Sequence, residues 1–130
     1  MEKVIKKIVE QLNASSGAIM VRSPEDDNLL ICSASYNMPK AWDDLVNSVE
    51  DNPKNLNGTV AFTGKPKIAN SLNIIFHGQP VGSVIVVPVL RLNKHVANIE
   101  IMHYSYDQVF SDEDLKYLQR EAEKLADKIA

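Results

Sequence analysis

Hydrophobic residues recur at helical spacing at both ends of the chain. Residues 2–13 predict an amphipathic helix, with lysines and glutamate on its outer face. Near the C-terminus, Ser111 can cap a helix and Asp114, at its third position, can reach back to the cap. The apolar residues that follow are spaced 3-4-3-4, a heptad seam of about two repeats: Leu115, Leu118, Ala122, Leu125 and Ile129. This period predicts a partner helix, either the N-terminal helix or its copy in a second subunit.

Residues 81–104 predict a hairpin that turns around Asn93-Lys94-His95. The first run is almost continuously apolar, whereas the second alternates. Ala97, Ile99 and Ile101 lie on one side of the second run. Its other side is mixed and carries Asn98, Glu100, Met102 and Tyr104. Residues 18–22 and 29–36 predict another hairpin, because a turn-forming loop of about six residues joins two β-type runs.

The middle of the chain changes period. Apolar residues from Pro39 to Val49 recur at three- and four-residue intervals and predict a helix that starts at the proline. Residues 58–63 predict a short helix that Gly64 ends, 67–70 a short strand, and 71–80 an irregular segment. An order of helix, hairpin, helices, strand, hairpin and helix predicts one α+β domain with an antiparallel sheet.

Composition narrows the functional classes. The net charge is −3 and the acids and bases are interspersed, so we do not expect nucleic acid as a partner. The longest apolar run, 84–90, is too short to span a bilayer, so no membrane partner is expected. Cys32 is the single cysteine, and no signal peptide precedes the first helix. These features predict a cytoplasmic protein.

Three segments together resemble the GAF domain family of small-molecule-sensing modules. Residues 57–68 (NGTVAFTGKPKI) resemble the family's G-x-x-A-x-x-T-G-K-P-x-x-I segment. Residues 83–89 (SVIVVPV) are similar to its proline-bearing core strand, and residues 110–118 (FSDEDLKYL) to the opening of its last helix. Two positions depart from the pattern, since Ala97 stands where the family usually has glycine and Asn70 where it often has aspartate.

The resemblance implies a PAS-like antiparallel sheet of five or six strands, in the order 2-1-5-4-3-6 when six are present. The N- and C-terminal helices would cover one face. Residues 39–76 would form a helix and loop cap over a pocket on the other. The implied function is non-catalytic sensing of an unknown small molecule, with signalling through the terminal helices. A homodimer formed by those helices, or an effector domain in a larger sensor, would receive the signal.

The same resemblance places the mixed face of the last hairpin in the pocket. Asn98 and Glu100 are the most informative pair, because a buried amide or carboxylate needs a hydrogen-bonding partner. Ser33 and Ser35 are expected to share a strand face with Leu29 and Ile31. The full set of candidate ligand-binding residues is Asn98, Glu100, Met102, Ser33, Ser35, Tyr36, Trp42, Phe62, Asn70, Asn73, Phe76 and His77.

Other functions remain as alternatives. The fold can serve as a dimerisation or scaffold module with a vestigial pocket. The free-methionine-sulfoxide reductases, relatives in this family, use cysteines in and after a segment corresponding to 58–82, where this chain has none. The only sequence feature that resembles a cyclic-nucleotide site is Asn93-Lys94 followed by Phe110. Covalent bilin attachment in this family needs a cysteine on the pocket side, and this chain has none there. His77, His95 and His103 are scattered, so the sequence predicts neither a metal site nor a cofactor.

Overall fold

A six-stranded antiparallel sheet separates two terminal helices from a cap of short elements in the computed structural model, which describes residues 1–129. The elements are α1 (Glu2–Gln11), β1 (Ser16–Arg22), β2 (Leu29–Tyr36), a 3-10 helix (Lys40–Asp44), β3 (Asn47–Ser48), α2 (Leu56–Thr63), β4 (Lys67–Ala69), β5 (Ile74–Phe76), β6 (Gln79–Val81), β7 (Ser83–Arg91), β8 (Lys94–His103) and α3 (Asp112–Ala126). The main sheet has the order β3-β2-β1-β8-β7-β4, and β5-β6 form a separate ribbon. None of the helices described is long and apolar enough to cross a membrane.

The α+β class and the arrangement of the five main strands agree with the sequence. Counted without β3 and the β5-β6 ribbon, the strands follow the expected order 2-1-5-4-3. The sixth strand lies at the opposite edge from the one expected. It is β3, which pairs with the start of β2 through Leu29↔Ser48 and Leu30↔Asn47.

The larger core lies between the sheet and the two terminal helices. Ala97, Ile99 and Ile101 of β8 are fully buried there, as the alternation predicted. Gly17 of β1 lets α1 approach closely, because a Cβ at that position would lie 2.8 Å from Cγ2 of Val9 on α1. Each large aliphatic side chain buried in this layer contributes about 1.5–3 kcal/mol.

The apolar seam of α3 packs on the sheet of its own chain. Leu118, Ala122 and Leu125 are 0%, 5% and 1% exposed, and Leu115 and Ile129 are partly buried against the same core. The prediction that another helix packs against this seam is therefore wrong. A 3-4-3-4 spacing gives a helix one apolar stripe, and the stripe fits the flat surface of β7 as well as another helix.

Helix boundaries follow the capping chemistry. Ser111 accepts a bond from the Asp114 backbone and Asp114 accepts one from the Ser111 backbone, which confirms the predicted start of α3. Asn55 caps α2 by accepting from the Gly58 N–H at 2.9 Å. Gly64 ends α2 in the left-handed conformation, with φ of +71°.

Two predictions for the middle of the chain are wrong. Only Lys40–Asp44 is helical between residues 39 and 49, and Leu45 is already extended, with ψ of 138°. The following residues turn into β3 because the edge of β2 offers unpaired backbone groups. Residues 74–81, expected to be irregular, form the β5-β6 hairpin, whose turn residues His77 and Gly78 have φ of +46° and +83°.

Two β-bulges change which side chains face the cap. In β2, Met20 pairs with Cys32 and Ile19 pairs with Ala34, so Ser33 is left between them. The single face expected for Leu29, Ile31, Ser33 and Ser35 is interrupted there. In β8, Leu90 pairs with His95 and Val89 with Ala97, and the extra residue, Val96, turns His95 towards the side of Asn98.

Candidate functional site

A cavity of about 480 Å³ lies between the sheet and the cap. The sheet supplies its floor, and the 3-10 helix, the start of α2 and the β5-β6 ribbon supply its walls. The lining residues are Met20, Met38, Trp42, Leu45, Asn47, Pro53, Lys54, Asn55, Leu56, Asn57, Ala69, Leu72, Ile74, Phe76, Val81, Val84, Glu100 and Met102. Its volume falls within the range of about 300–1,000 Å³ typical of small-molecule sites.

Aromatic and sulfur-containing side chains join the aliphatic residues of the cavity lining. Trp42, the only tryptophan in the sequence, meets Phe76 edge to face with ring centroids 5.1 Å apart. Every methionine except the first residue lines the cavity, namely Met20, Met38 and Met102. Thioethers are polarisable and flexible, so they adapt to ligands of different shape.

Glu100 is the acidic group of the cavity. It is partly buried, and no Lys, Arg or His among residues 1–129 forms a salt bridge with it. Burial raises the pKa of its carboxyl to about 7, although a hydrogen bond from the Asn57 side chain partly opposes the shift. A carboxylate in this position changes charge near neutral pH.

A hydrogen-bond donor of the wall is also without a partner. The indole Nε1 of Trp42 is buried and meets no acceptor among the residues described. Buried indole N–H groups normally find one. The lining therefore combines a largely apolar surface with an acidic group, a lysine, three asparagines and a tryptophan whose indole N–H has no partner among the described residues.

Asn98, predicted to face the pocket, lies beside the cavity in a buried network. Its Oδ1 is 2.8 Å from Nε2 of His95, and its Nδ2 donates to the backbone oxygen and Oδ1 of Asn57. Arg22 Nε donates to His95 Nδ1 at 3.1 Å, which leaves the Nε2 proton for Asn98. Burial lowers the pKa of His95. Asn98 thus fixes α2 to the sheet, and its amide is fully used by protein atoms.

Four of the predicted residues line the cavity: Trp42, Phe76, Glu100 and Met102. Their contact with a ligand remains a prediction. Three others from β2 do not line it. Ser33 is the exposed bulge residue, Ser35 donates to Asp43 at 2.8 Å, and Tyr36 packs against the core on the helix side. The bulge accounts for Tyr36, because the extra residue moves it from the face of Cys32 to the helix side. Ser35 lies on the cap side, where Asp43 takes its hydroxyl.

The remaining four predicted residues also lie outside the cavity. Phe62 is 63% exposed on the outer side of α2. Asn70 holds the chain before α3, since its side chain bonds both the N–H and the carbonyl of Phe110. Asn73 and His77 are exposed residues with positive φ, and His77 lies in the turn of the β5-β6 hairpin.

Sequence reasoning missed most of the apolar wall. Met20, Leu45, Leu72 and Val84 come from four separate segments, and no spacing within any one segment indicates that they share a cavity. The one available signal was compositional. The internal methionines and the single tryptophan are rare residues in this chain, and all of them lie in the wall.

Cys32 lies on the cap side of β2, partly buried beside Met20 and Leu30. Burial raises the pKa of its thiol, and the charges of Asp43 and Glu100 raise it further. The thiol donates to the Ala34 carbonyl at 3.5 Å. A thiol with a raised pKa is a poor nucleophile at neutral pH.

Solved GAF domains share this architecture. The second GAF domain of DevS from Mycobacterium smegmatis superposes with a TM-score of 0.79 at 16% identity, covering 98% of this chain and 88% of that one. The GAF domain of a phosphoenolpyruvate-protein phosphotransferase from Acinetobacter gives 0.80 at 13% identity, covering 97% and 77%. A type II free methionine-R-sulfoxide reductase from Thermoplasma acidophilum gives 0.78 at 17% identity, covering 98% and 87%.

Sequence comparison adds no relative, since neither a protein-family model nor a curated protein matches the chain. The structural matches extend over nearly the whole chain and include the sheet, both terminal helices and the cap. At these identities they establish the fold. The protein is therefore a domain with the GAF fold, as the three sequence segments predicted.

Proposed function

We propose that this protein is a non-catalytic sensory domain that binds a small organic molecule in the cavity and signals through α1 and α3. The observation that carries the proposal is the cavity itself, about 480 Å³ with Glu100 in its lining. The scaffold alternative, with a vestigial pocket, predicts an interior filled by side chains. An open cavity of this size favours ligand binding instead.

The sheet connects the cavity to the terminal helices. Glu100 and Met102 line the cavity, whereas Ile99 and Ile101, which alternate with them in β8, pack against the core beneath α1 and α3. A ligand that shifts β8 or the cap therefore also changes the packing of the helices. It biases that shift only by binding one arrangement more tightly than the other.

The position of Cys32 supports a non-catalytic function. A reductase cycle of the kind found in the free-methionine-sulfoxide reductases needs a reactive thiolate and a second sulfur. This sequence has one cysteine, and burial raises the pKa of its thiol. We expect Cys32→Ser to bind ligand as the wild type does. We expect no reductase activity in either protein.

The test is a thermal-shift screen of nucleotides, amino acids, amines and small acids, followed by calorimetry of the compounds that stabilise the protein. Ala69→Phe, which places a ring in the cavity lining, is expected to abolish the stabilisation. Hydrogen exchange in α1 and α3 should change when the ligand binds the wild type. Stabilisation that survives in Ala69→Phe, or no stabilisation by any compound, contradicts the proposal.

Oligomeric state tests the signalling part separately. We propose a homodimer that uses the outward faces of α1 and α3, since the inward seam is occupied by the sheet. Light scattering over a range of concentrations should give twice the monomer mass, with or without ligand. A monomeric mass at every concentration would contradict the homodimer. The terminal helices would then have to pass the signal to another domain of a larger sensor.

A further inference from the structure

The carboxyl group of Glu100 has no ion-pair partner in the part of the chain that the structure describes, and this indicates the chemistry of the cavity's ligand; this step rests on the proposed function. Two charged residues, Glu100 and Lys54, occur in the lining. Lys54 is exposed, and no ion pair joins the two among residues 1–129. The acid therefore faces the cavity without a protein counter-charge. Transfer of a lone carboxylate out of water is costly unless a partner compensates it.

The walls around this acid suit a positive charge. Trp42 and Phe76 present aromatic rings, which attract cations through their negative faces. The thioethers of Met20, Met38 and Met102 add polarisable surface. No arginine occurs in the lining, so a carboxylate or phosphate would meet Glu100 with only Lys54 to offset it.

We infer that the cavity takes a small organic cation, an amine, amidine or guanidine on an apolar body, whose N–H groups donate to the Glu100 carboxylate. The apolar body would occupy the space between Trp42 and the methionines. Where Glu100 is ionised, an anion of the same shape would bind far less well, because it would add a second negative charge beside the carboxylate.

Binding of this kind is linked to protons. The pKa of Glu100 is raised to about 7 by burial, so the empty site is largely protonated at pH 6 and largely ionised at pH 8. The other titratable groups near it are Tyr104 and Cys32, whose pKa values its charge helps to raise, and Lys54. A cation should therefore bind about tenfold more tightly at pH 8 than at pH 6 and should displace a proton at pH 6.

Three probes of matched shape separate the possibilities: benzamidine is cationic, benzyl alcohol neutral and benzoate anionic. Trp42 fluorescence reports occupancy directly, since it is the only tryptophan and lines the cavity. Calorimetry in two buffers of different ionisation enthalpy measures the proton released. We expect benzamidine to bind at least tenfold more tightly than benzoate at pH 8, with proton release at pH 6.

Glu100→Gln keeps the shape of the side chain and removes its charge. We expect this variant to bind benzamidine at least tenfold more weakly, without pH dependence, and to bind benzyl alcohol as the wild type does. Glu123→Gln makes the same chemical change on the exposed side of α3 and should alter neither affinity. If circular dichroism shows that Glu100→Gln does not fold, the pH profile and proton release of the wild type decide the question.

The outcomes distinguish this inference from the proposed function. Benzoate that binds as tightly as benzamidine, or benzamidine binding without pH dependence, overturns the cation assignment. Saturable binding of benzoate or benzyl alcohol that Ala69→Phe abolishes would still support a ligand cavity. If none of the three probes binds and no amine in the thermal-shift screen stabilises the protein, both the cation assignment and the proposed ligand-binding function are overturned.

Discussion

Replacing Glu100 with glutamine should stabilise the ligand-free protein at high pH and have little effect at low pH. The carboxyl has a pKa of about 7 in the folded protein, against an ordinary value of 4.5. A raised carboxyl pKa means that the folded state binds more protons than the unfolded state between these values. Stability therefore falls as the pH rises through this window.

The size of the effect follows from the pKa difference. One pKa unit corresponds to about 1.4 kcal/mol, so the raised pKa of this carboxyl lowers the free energy of unfolding by about 3 kcal/mol at pH 8 and about 1 kcal/mol at pH 5. Glutamine does not ionise and avoids both costs. The free energy of unfolding of Glu100→Gln, relative to wild type, should thus rise by about 2 kcal/mol between pH 5 and pH 8.

Urea denaturation at pH 5, 6.5 and 8 measures this difference, followed by Trp42 fluorescence and by circular dichroism. Other titrating groups, including His95, are present in both proteins and cancel in the comparison. Glu123→Gln is the matched control, because its carboxylate faces water. This exposed substitution should leave the free energy of unfolding close to the wild-type value. A Glu100→Gln effect that is constant with pH, or larger at pH 5 than at pH 8, would refute the reasoning.

Three further substitutions test the contacts that hold α2 and β3 in place beside the cavity. Asn98→Ala leaves a buried histidine N–H and the side-chain oxygen of Asn57 without a partner, so urea denaturation should show a loss of about 3 kcal/mol. Burial lowers the pKa of His95, so the unfolded state binds more protons below about pH 6.5. The free energy of unfolding of the wild type should therefore decrease as the pH falls through this range. It should decrease less in His95→Gln, and an equal decrease would contradict the contribution of His95. Gly58→Ala forces a Cβ against the carbonyl oxygen of Ser48, so its thermal midpoint should fall by an amount equivalent to about 1–3 kcal/mol, and an unchanged midpoint would show that β3 moves freely.

The elements that the sequence predicted well are those decided by neighbours along the chain. The capping box at Ser111, the left-handed end at Gly64 and the alternation in residues 97–101 depend on contacts within a few residues. The same local rules misjudged residues 39–49. There the apolar spacing suits a helix, but pairing with β2 extends the chain into β3.

The candidate site was only partly predictable for the same reason. Strand alternation and the family resemblance placed Glu100 and Met102 in the cavity lining, and the cap that the resemblance implies over residues 39–76 placed Trp42 and Phe76 there. Asn98 has the same alternation, yet its amide is taken by residues from the start of α2 and the bulged end of β8. No property of residue 98 itself distinguishes it from residue 100.

The sequence by itself therefore determined the α+β class, the start of α3, the end of α2, the two long hairpins and the division of β8 into two faces. Only the tertiary structure decided the two bulges, the edge position of β3, the burial of the α3 seam against the sheet and the shape of the cavity. The physical reason is that periodicity and capping act over one or two turns or strand repeats. A cavity is the space left between segments far apart in the chain, and its charge balance depends on which side chains reach one another across that space.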